Sequence, residues 1–142
     1  MLKNVSILDN QTLKNNGTVT IDDLTGAANS TFVNASGSTL VINGQLLATG
    51  TFDAGTCPNT VVFNGTILQT IKQATYCNII ISGTGAKVVN DGVTITAHGD
   101  VTQQSGTPFT VGTTVGTVTM QIDGGLITGD NFVNNADINI GN

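Results

Sequence analysis

A repeat with a period near 20 residues constrains the fold of this chain more than any other feature. Each copy has an apolar residue, a spacer, Asn, one to three turn residues, and a strand of alternating apolar and polar residues. Copies begin at Leu13, Phe32, Val88 and Phe132, and a related Thr-Phe pair ends at Phe52. Leu13 and Phe32 are 19 positions apart, and Phe32 and Phe52 are 20. Several short strands in so short a period predict a β-solenoid.

In a β-solenoid each coil lays its strands about 4.7–4.9 Å from those of the coil below. Alternate side chains point inward, so Val, Ile, Leu and Phe stack in a narrow core, and inward Asn residues at corners stack as hydrogen-bonded ladders. At about 20 residues a coil, the 142 residues form a single domain, residues 1–142, of about six to seven coils. The alternative is a β-sandwich, which also has short strands between frequent turns. The near-20 period, the Asn corners and the shortage of aromatic residues favour the solenoid.

The composition also favours strands and excludes some functions. Charged residues make up 9% of the chain, with four Lys, no Arg, nine Asp and no Glu, whereas about 25% is ordinary. A net charge of −5 and so few cations argue against nucleic-acid binding. No apolar run reaches the roughly 18–20 residues of a membrane helix, so we predict no membrane insertion. The segment from Thr66 to Ala74 is the only candidate helix, and it fits a strand and a corner equally well.

The stretch from Thr51 to Ile81 contains both cysteines. Cys57 and Cys77 are 20 positions apart, so a period near 20 places them on adjacent coils with Cα atoms about 5 Å apart, which suits a disulfide. Closing a loop of about 20 residues stabilises by roughly 3 kcal/mol. A disulfide indicates an oxidising compartment, and hence an extracellular or cell-surface location. Two free buried thiols are the alternative, and the absence of a CxxC motif argues against redox chemistry.

No catalytic, metal or cofactor site is predicted, and we expect the protein not to be an enzyme. His98 and Asp100 can share one face of a strand, but no nucleophile or oxyanion hole accompanies them, so a surface histidine is the simpler interpretation. The aspartates are expected to form turns by bonding the backbone. The calcium-binding GGxGxD pattern is absent, and weak calcium binding at loops stays open as an alternative.

The run from Thr51 to Thr102 resembles a repeat unit of large secreted bacterial surface proteins of the adhesin and autotransporter kind. That resemblance covers about a third of the chain well and implies a β-solenoid on an extracellular surface, without catalytic residues. The Cys57/Cys77 pair departs from such repeats, which mostly lack it, so the chain is expected to be a specialised member. The matching residues are Thr51, Phe52, Val61, Val62, Phe63, Asn64, Gly65, Thr66, Gln69, Thr70, Ile71, Tyr76, Asn78, Ile79, Ile81, Asn90, Val93, Ile95, Gly99 and Val101.

The two ends of the predicted solenoid are nearly the same in sequence. The last coil, NFVNNADINIGN, is an ordinary repeat that stops, and TLKNNGTVTI near the start is almost its twin. Unpaired strands at such ends are templates for another chain. The alternatives are a piece of a longer repeat array and a cap formed by Met1 to Gln11. The predicted assembly ends are Leu13, Val19 and Ile21 on one side and Phe132, Ile138 and Ile140 on the other.

These patterns predict a non-catalytic structural protein of the cell surface or extracellular space. It would assemble with copies of itself, head to tail, into a filament by strand addition, or form a stalk segment of an adhesin. The alternative is a carbohydrate-binding or glycan-cleaving β-solenoid with surface glycans as its partner. That function needs a groove with aromatic platforms and convergent carboxylates, and the chain has no Trp and one Tyr.

Overall fold

The computed structural model describes residues 1–141 and is all-β in that range, which confirms the predicted β-solenoid. Every strand pairing is parallel, as expected when successive coils stack in one direction. The segment from Thr66 to Ala74 forms a short strand and a corner rather than a helix. The strands are β1 (Leu2–Ile7), β2 (Thr12–Asn15), β3 (Thr18–Gly26), β4 (Thr31–Asn34), β5 (Thr39–Ile42), β6 (Thr51–Asp53), β7 (Thr60–Phe63), β8 (Gln69–Thr70), β9 (Thr75–Tyr76), β10 (Asn78–Ile81), β11 (Lys87–Val89), β12 (Thr94–Ala97), β13 (Val101–Gln103), β14 (Phe109–Val111), β15 (Thr119–Ile122), β16 (Leu126–Ile127), β17 (Phe132–Asn134) and β18 (Asp137–Ile140).

The strands form three faces, which each full coil visits in turn. Face 1 is one sheet in the order β1-β3-β5-β7-β10-β13-β16, and its seven strands mark coils 1 to 7. Face 2 is the sheet β8-β11-β14-β17 in coils 4 to 7. In the lower coils the end of β3 takes that place and reaches coil 3 through the bridge from Leu24 to Leu46. Face 3 is β2-β4-β6, joined through the bridge from Ala54 to Tyr76 to β9-β12-β15-β18.

The length of a coil varies because the corners vary while the strands stay in register. The shortest step on face 1 is 18 residues, from Phe63 to Ile81, and the longest is 25, from Val101 to Leu126. Insertions in exposed corners are tolerated much better than insertions in stacked strands. This explains why the sequence repeat stays near 20 without being exact.

The sequence repeat turns out to be a corner motif that occurs at two different corners. The copies at Leu13 and Phe32 lead from face 3 to face 1, through β2–β3 and β4–β5. The copies at Val88 and Phe132 lead from face 2 to face 3, through β11–β12 and β17–β18. The early and late twins therefore share local geometry but lie one face apart around the rod.

The core is a set of columns in which inward side chains stack coil upon coil. On face 1 one column runs Val19–Leu40–Val61–Ile79–Val101–Leu126. The aromatic residues stack in the same way, with ring centroids of Phe32 and Phe52 5.8 Å apart and those of Phe52 and Tyr76 5.6 Å apart. Such aromatic pairs contribute about 0.5–1.5 kcal/mol each beyond the area that they bury.

Asparagine ladders form as predicted. Asn15 donates its amide to Asn34 Oδ1 at 2.8 Å, and Asn34 donates to Asn59 Oδ1 at 3.3 Å. A second ladder on the outside of face 1 links Asn43 to Asp22 at 3.1 Å and Asn64 to Asn43 at 3.3 Å. These bonds satisfy polar groups at the corners, which would otherwise destabilise the stack when buried.

The predicted disulfide is present. Cys57 and Cys77 are bonded, and their Cα atoms are 5.2 Å apart, close to the spacing of two adjacent coils. The bond ties the corner before β7 to the start of β10, one coil above. It therefore fastens the middle of the rod and lies away from both ends.

Candidate functional site

The N-terminal end of the rod exposes part of the core. Coil 1 consists of β1 and β2, whose outer edges have no strand partner within residues 1–141. Leu2 is 51% exposed and Leu13 37% exposed, although both lie in inward columns beneath Ile21 and Phe32. Pairing between β1 and β3 starts only at Leu2, so Val19 has no residue below it. The result is an apolar notch of about 100 Å³.

The C-terminal end exposes the core in a different form. Coil 7 consists of β16, β17 and β18, which have partners below and none above within the described residues. Ile138 and Ile140 lie in the inward columns of Met120 and Ile122, and Ile140 is 56% exposed. Phe132 is half-buried, with its ring 5.4 Å from that of Phe109 below. This end therefore presents a row of apolar side chains rather than a notch.

Five of the six predicted end residues lie on the two end surfaces. Leu13 belongs to coil 1, Val19 to the notch, and Phe132, Ile138 and Ile140 to coil 7. Ile21 differs, because Leu2 covers it and it is only 1% exposed. The segment from Met1 to Gln11 forms most of coil 1 as an ordinary coil, with β1 paired to β3, and its outer edge stays unpaired within residues 1–141.

The inward columns of face 3 define the register in which coil 1 of a second copy would stack on coil 7 of the first. One inward column passes through Leu13, Phe32 and Phe52, and its upper part ends at Met120 and Ile138. The bridge from Ala54 to Tyr76 fixes the register between the lower and upper strands of this face. A second copy stacked in the same register would place its Leu13 on Ile138 and its Asn15 on Ile140. Two pairs of outward-pointing residues would then also be adjacent across the contact: Thr12 would lie on Asp137, and Lys14 would lie on Asn139.

Charge is distributed unevenly along the rod. Residues 1–87 contain four Lys and four Asp, whereas residues 88–142 contain five Asp and no Lys, so the whole net charge of −5 arises in the second part. Coil 1 carries Lys3, Lys14 and Asp9, all exposed, so its lysines outnumber its aspartates, and coil 7 carries Asp137, with Asp130 in the turn before β17. Lys3 also forms an ion pair of 3.2 Å with Asp22 of its own chain. The two ends are therefore of opposite charge.

His98 has a different acidic partner from the one that the sequence indicates. Its Nδ1 lies 2.8 Å from Asp123 Oδ2, on the next coil, and this hydrogen bond lowers the pKa of Asp123. Asp100 instead accepts the backbone N–H of Gly125 at 2.8 Å. The imidazole is exposed, as expected for a surface histidine, and coil stacking rather than strand alternation sets its contacts.

Several aspartates hold neighbouring coils together instead of closing their own turns. Asp91 accepts hydrogen bonds from the backbone and hydroxyl of Thr113, from those of Thr114, and from the Thr117 hydroxyl. These bonds, led by the one from the Thr113 hydroxyl, hold the pKa of Asp91 well below its usual range. Asp23 likewise accepts the Gln45 N–H from one coil above, at 2.7 Å. Within residues 1–141 no group of three or more His, Cys or Asp side chains is arranged to hold a metal ion.

The part of the chain that the structure describes has no helix with the length and apolarity to cross a membrane. No known family model, no curated protein and no solved structure matches the chain.

Proposed function

We propose that this protein is a non-catalytic structural subunit of the cell surface or extracellular space that stacks head to tail into a filament. The observation that carries the proposal is the match between its ends, which differ in shape and charge but continue the same columns. Joining unlike surfaces gives a heterologous contact, and one that does not close on itself grows without limit. The same contact between consecutive units of a longer chain would form an adhesin stalk.

Strand addition is the first source of binding energy. The outer edges of β1 and β2 and the upper edges of β16, β17 and β18 have no strand partner in the described range. Edge strands with free N–H and C=O groups readily pair with another chain. Stacking coil 1 on coil 7 would pair these edges in parallel, as between every two coils inside the rod.

Burial of apolar side chains at the two ends is the second source of binding energy. Leu2, Leu13 and Ile140 are between 37% and 56% exposed, and Val19, Phe132 and Ile138 are half-buried. Completing their burial contributes about 1 kcal/mol each, or roughly 6 kcal/mol together. Association costs about 4–15 kcal/mol in lost freedom. Apolar contact alone is therefore marginal, so backbone pairing and charge must add to it.

The disulfide supports the proposed location. Such bonds persist in oxidising compartments and are rare in reducing ones, and Cys57–Cys77 ties two coils of the rod covalently. The bond stabilises the middle of the rod, which contacts with neighbouring subunits at the ends would not stabilise.

The position of the aromatic residues favours this structural role over glycan binding or cleavage. Phe32, Phe52, Phe63, Tyr76 and Phe109 are all buried in the core. The sixth, Phe132, lies on the terminal coil in an inward column. Flat aromatic platforms for a sugar are therefore missing from the sides of the rod over residues 1–141.

Negative-stain electron microscopy of the purified, non-reduced protein tests the proposal. The expected result is thin unbranched fibres whose axial repeat is about 34 Å, seven coils at about 4.8 Å each. Their number should rise with protein concentration. Uniform single particles at all concentrations up to about 1 mM would contradict the proposal. An end-to-end contact that does not form at 1 mM has a binding free energy weaker than about 4 kcal/mol.

A further inference from the structure

The dipeptide Asn-Gly occurs three times in the chain, beginning at Asn16, Asn43 and Asn64. In this dipeptide the backbone nitrogen of the second residue attacks the asparagine side chain most easily, because glycine has no side chain to crowd the approach. The attack forms a cyclic imide and finally converts the asparagine to aspartate. The three sites share one local sequence, so the surrounding structure determines how fast each of them reacts.

Two of the three sites are held by hydrogen bonds on both of their residues. The Asn43 side chain donates to Asp22 Oδ1 at 3.1 Å, and the Asn64 side chain donates to Asn43 Oδ1 at 3.3 Å. The glycines that follow them are buried. Their N–H groups donate to Asp22 O at 2.6 Å and to Gln69 Oε1 at 2.7 Å. Imide formation at either site therefore requires a local opening that breaks several of these bonds.

The site at Asn16 lacks most of these restraints. Its side chain is exposed and forms no hydrogen bond within residues 1–141, where the neighbouring Asn15 makes the bonds of this corner. Gly17 is exposed, and its N–H makes one hydrogen bond, to Asn15 Oδ1 at 3.1 Å. Gly17 is also the only glycine in the described range with neither a positive φ nor an atom within 4 Å of where a methyl group would lie. Neither backbone conformation nor packing therefore requires a glycine there.

We infer that Asn16 deamidates spontaneously and that this modification weakens assembly at the N-terminal end of the rod. The backbone nitrogen of Gly17 gives up its proton to water and attacks Asn16 Cγ, so that a new C–N bond forms. The side-chain nitrogen takes up a proton and leaves as ammonia. Water then opens the cyclic imide at either of its carbonyl groups, which leaves a carboxylate on aspartate or on isoaspartate. The only co-reactant is water.

The new carboxylate would lie on coil 1, where lysine is in excess. Lys3 and Lys14 outnumber Asp9 on this coil by one, so a negative charge at Asn16 cancels the excess. The effect on assembly rests on the proposed function, because this charge matters only if coil 1 meets the acidic coil 7 of another copy. The deamidation itself does not depend on assembly.

Peptide mapping by mass spectrometry, during incubation of the folded full chain at mildly alkaline pH, tests the modification. Asn16 should lose its amide at least about tenfold faster than Asn43 or Asn64, since each of those must first break two or more hydrogen bonds. Gly17→Ala, which no neighbouring atom opposes, should slow the loss severalfold. In urea the three sites should react at similar rates. Equal rates in the folded protein, or an unchanged rate in Gly17→Ala, would overturn the inference.

The effect of the charge is tested separately with Asn16→Asp, which is one product of the reaction. Fresh Asn16→Asp should associate end to end about twofold to fivefold more weakly than wild type in sedimentation velocity. The matched variant Gln73→Glu makes the same amide-to-carboxylate change on an exposed side chain of coil 4 and should associate as wild type does. Equal association of Asn16→Asp and wild type would overturn the effect on assembly. If fresh wild type does not associate, the proposed function and this effect both fail, whereas the peptide map still decides the modification.

Discussion

The two ends of the rod are built from the same kind of coil and yet present different surfaces. At the N-terminal end the pairing of β1 with β3 starts at Leu2, so Val19 has no residue below it and lines a notch, with Lys3 and Lys14 on the same coil. At the C-terminal end coil 7 has a strand on each of the three faces and presents Ile138 and Ile140, and the same coil carries Asp130 and Asp137.

This difference between the ends determines what kind of assembly they can form. Two like ends would bring like charges together. Unlike ends bring opposite charges together and continue the columns of face 3. The comparison therefore favours a polar filament over a symmetric dimer.

The largest expected effect comes from a charge in the apolar row of the C-terminal end. Ile138→Asp should weaken end-to-end association about a thousandfold, since it removes an apolar contact and buries an unpaired carboxylate, together about 4 kcal/mol. Val133→Asp is the matched control, because Val133 lies on the same coil but points outward, above Thr110. Sedimentation velocity at several concentrations measures the association. Equal loss in both variants would mean that charge rather than the inward column is responsible.

Removing the disulfide should separate the stability of the middle of the rod from assembly at its ends. Cys57→Ser combined with Cys77→Ser should lower the free energy of unfolding by about 3 kcal/mol. Without the bond, the unfolded chain regains the entropy that closing a loop of about 20 residues removes. Folded protein should still assemble, since the bond lies in coils 3 to 5 rather than at either end. Urea unfolding measures the first effect and sedimentation the second. Loss of fibres from fully folded double variant would contradict this separation.

Charge reversal should have a moderate effect. Lys14→Glu should weaken association about threefold to tenfold, because in the stacked register Lys14 lies diagonally across from Asp137 of the next subunit, within reach of its side chain. Adding Asp137→Lys in the same chain should restore most of the affinity, and about 0.5 M salt should shrink both differences. Turbidity of matched samples at low and high salt measures them. If the double variant does not regain affinity, attraction between Lys14 and Asp137 does not contribute to end-to-end association.

Acid should have the smallest and most local effect, at the corner that Asp91 holds. The folded state lowers the pKa of this carboxyl through its hydrogen bonds from Thr113, Thr114 and Thr117. The stabilisation is therefore complete above the unfolded pKa of about 3.9 and is lost as the pH falls below it. Asp91→Asn should be less stable than wild type at pH 7, with a smaller difference at pH 3, as measured by urea unfolding. A difference that grows on acidification would contradict the assignment.

The sequence was sufficient to predict the solenoid, its asparagine ladders and its disulfide, because all three depend on a period that the chain repeats. It was not sufficient to assign the corners, since coils of 18 to 25 residues shift one copy of the motif to another face. The contact of His98 with Asp123 was missed for the same reason: it depends on the length of the coil between them. The positive φ of Leu47 has no sequence signal, because the residue at that position is not a glycine.

Lys87 was also missed, although strand alternation contained a signal for it. Val89 points inward, so Lys87, two positions earlier on β11, points inward too. It is fully buried, and its Nζ donates to the carbonyl oxygens of Gly65 at 3.1 Å and Gly85 at 2.5 Å. Burial lowers its pKa. A buried ammonium is so costly that a sequence interpretation places lysine outside unless acceptors are known to be present.

Cross-linking between two variants, each with one cysteine added to the native Cys57–Cys77 disulfide, tests the central claim most directly. That claim is the stacking of coil 1 on coil 7 in register. Thr12→Cys and Asp137→Cys should lie about 5 Å apart across a head-to-tail contact, as Cα atoms of adjacent coils do. Mixed under mild oxidation, the two variants should form a disulfide-linked heterodimer, while neither alone should cross-link above background. Absence of the heterodimer, or homodimers in equal yield from either variant alone, would contradict head-to-tail stacking.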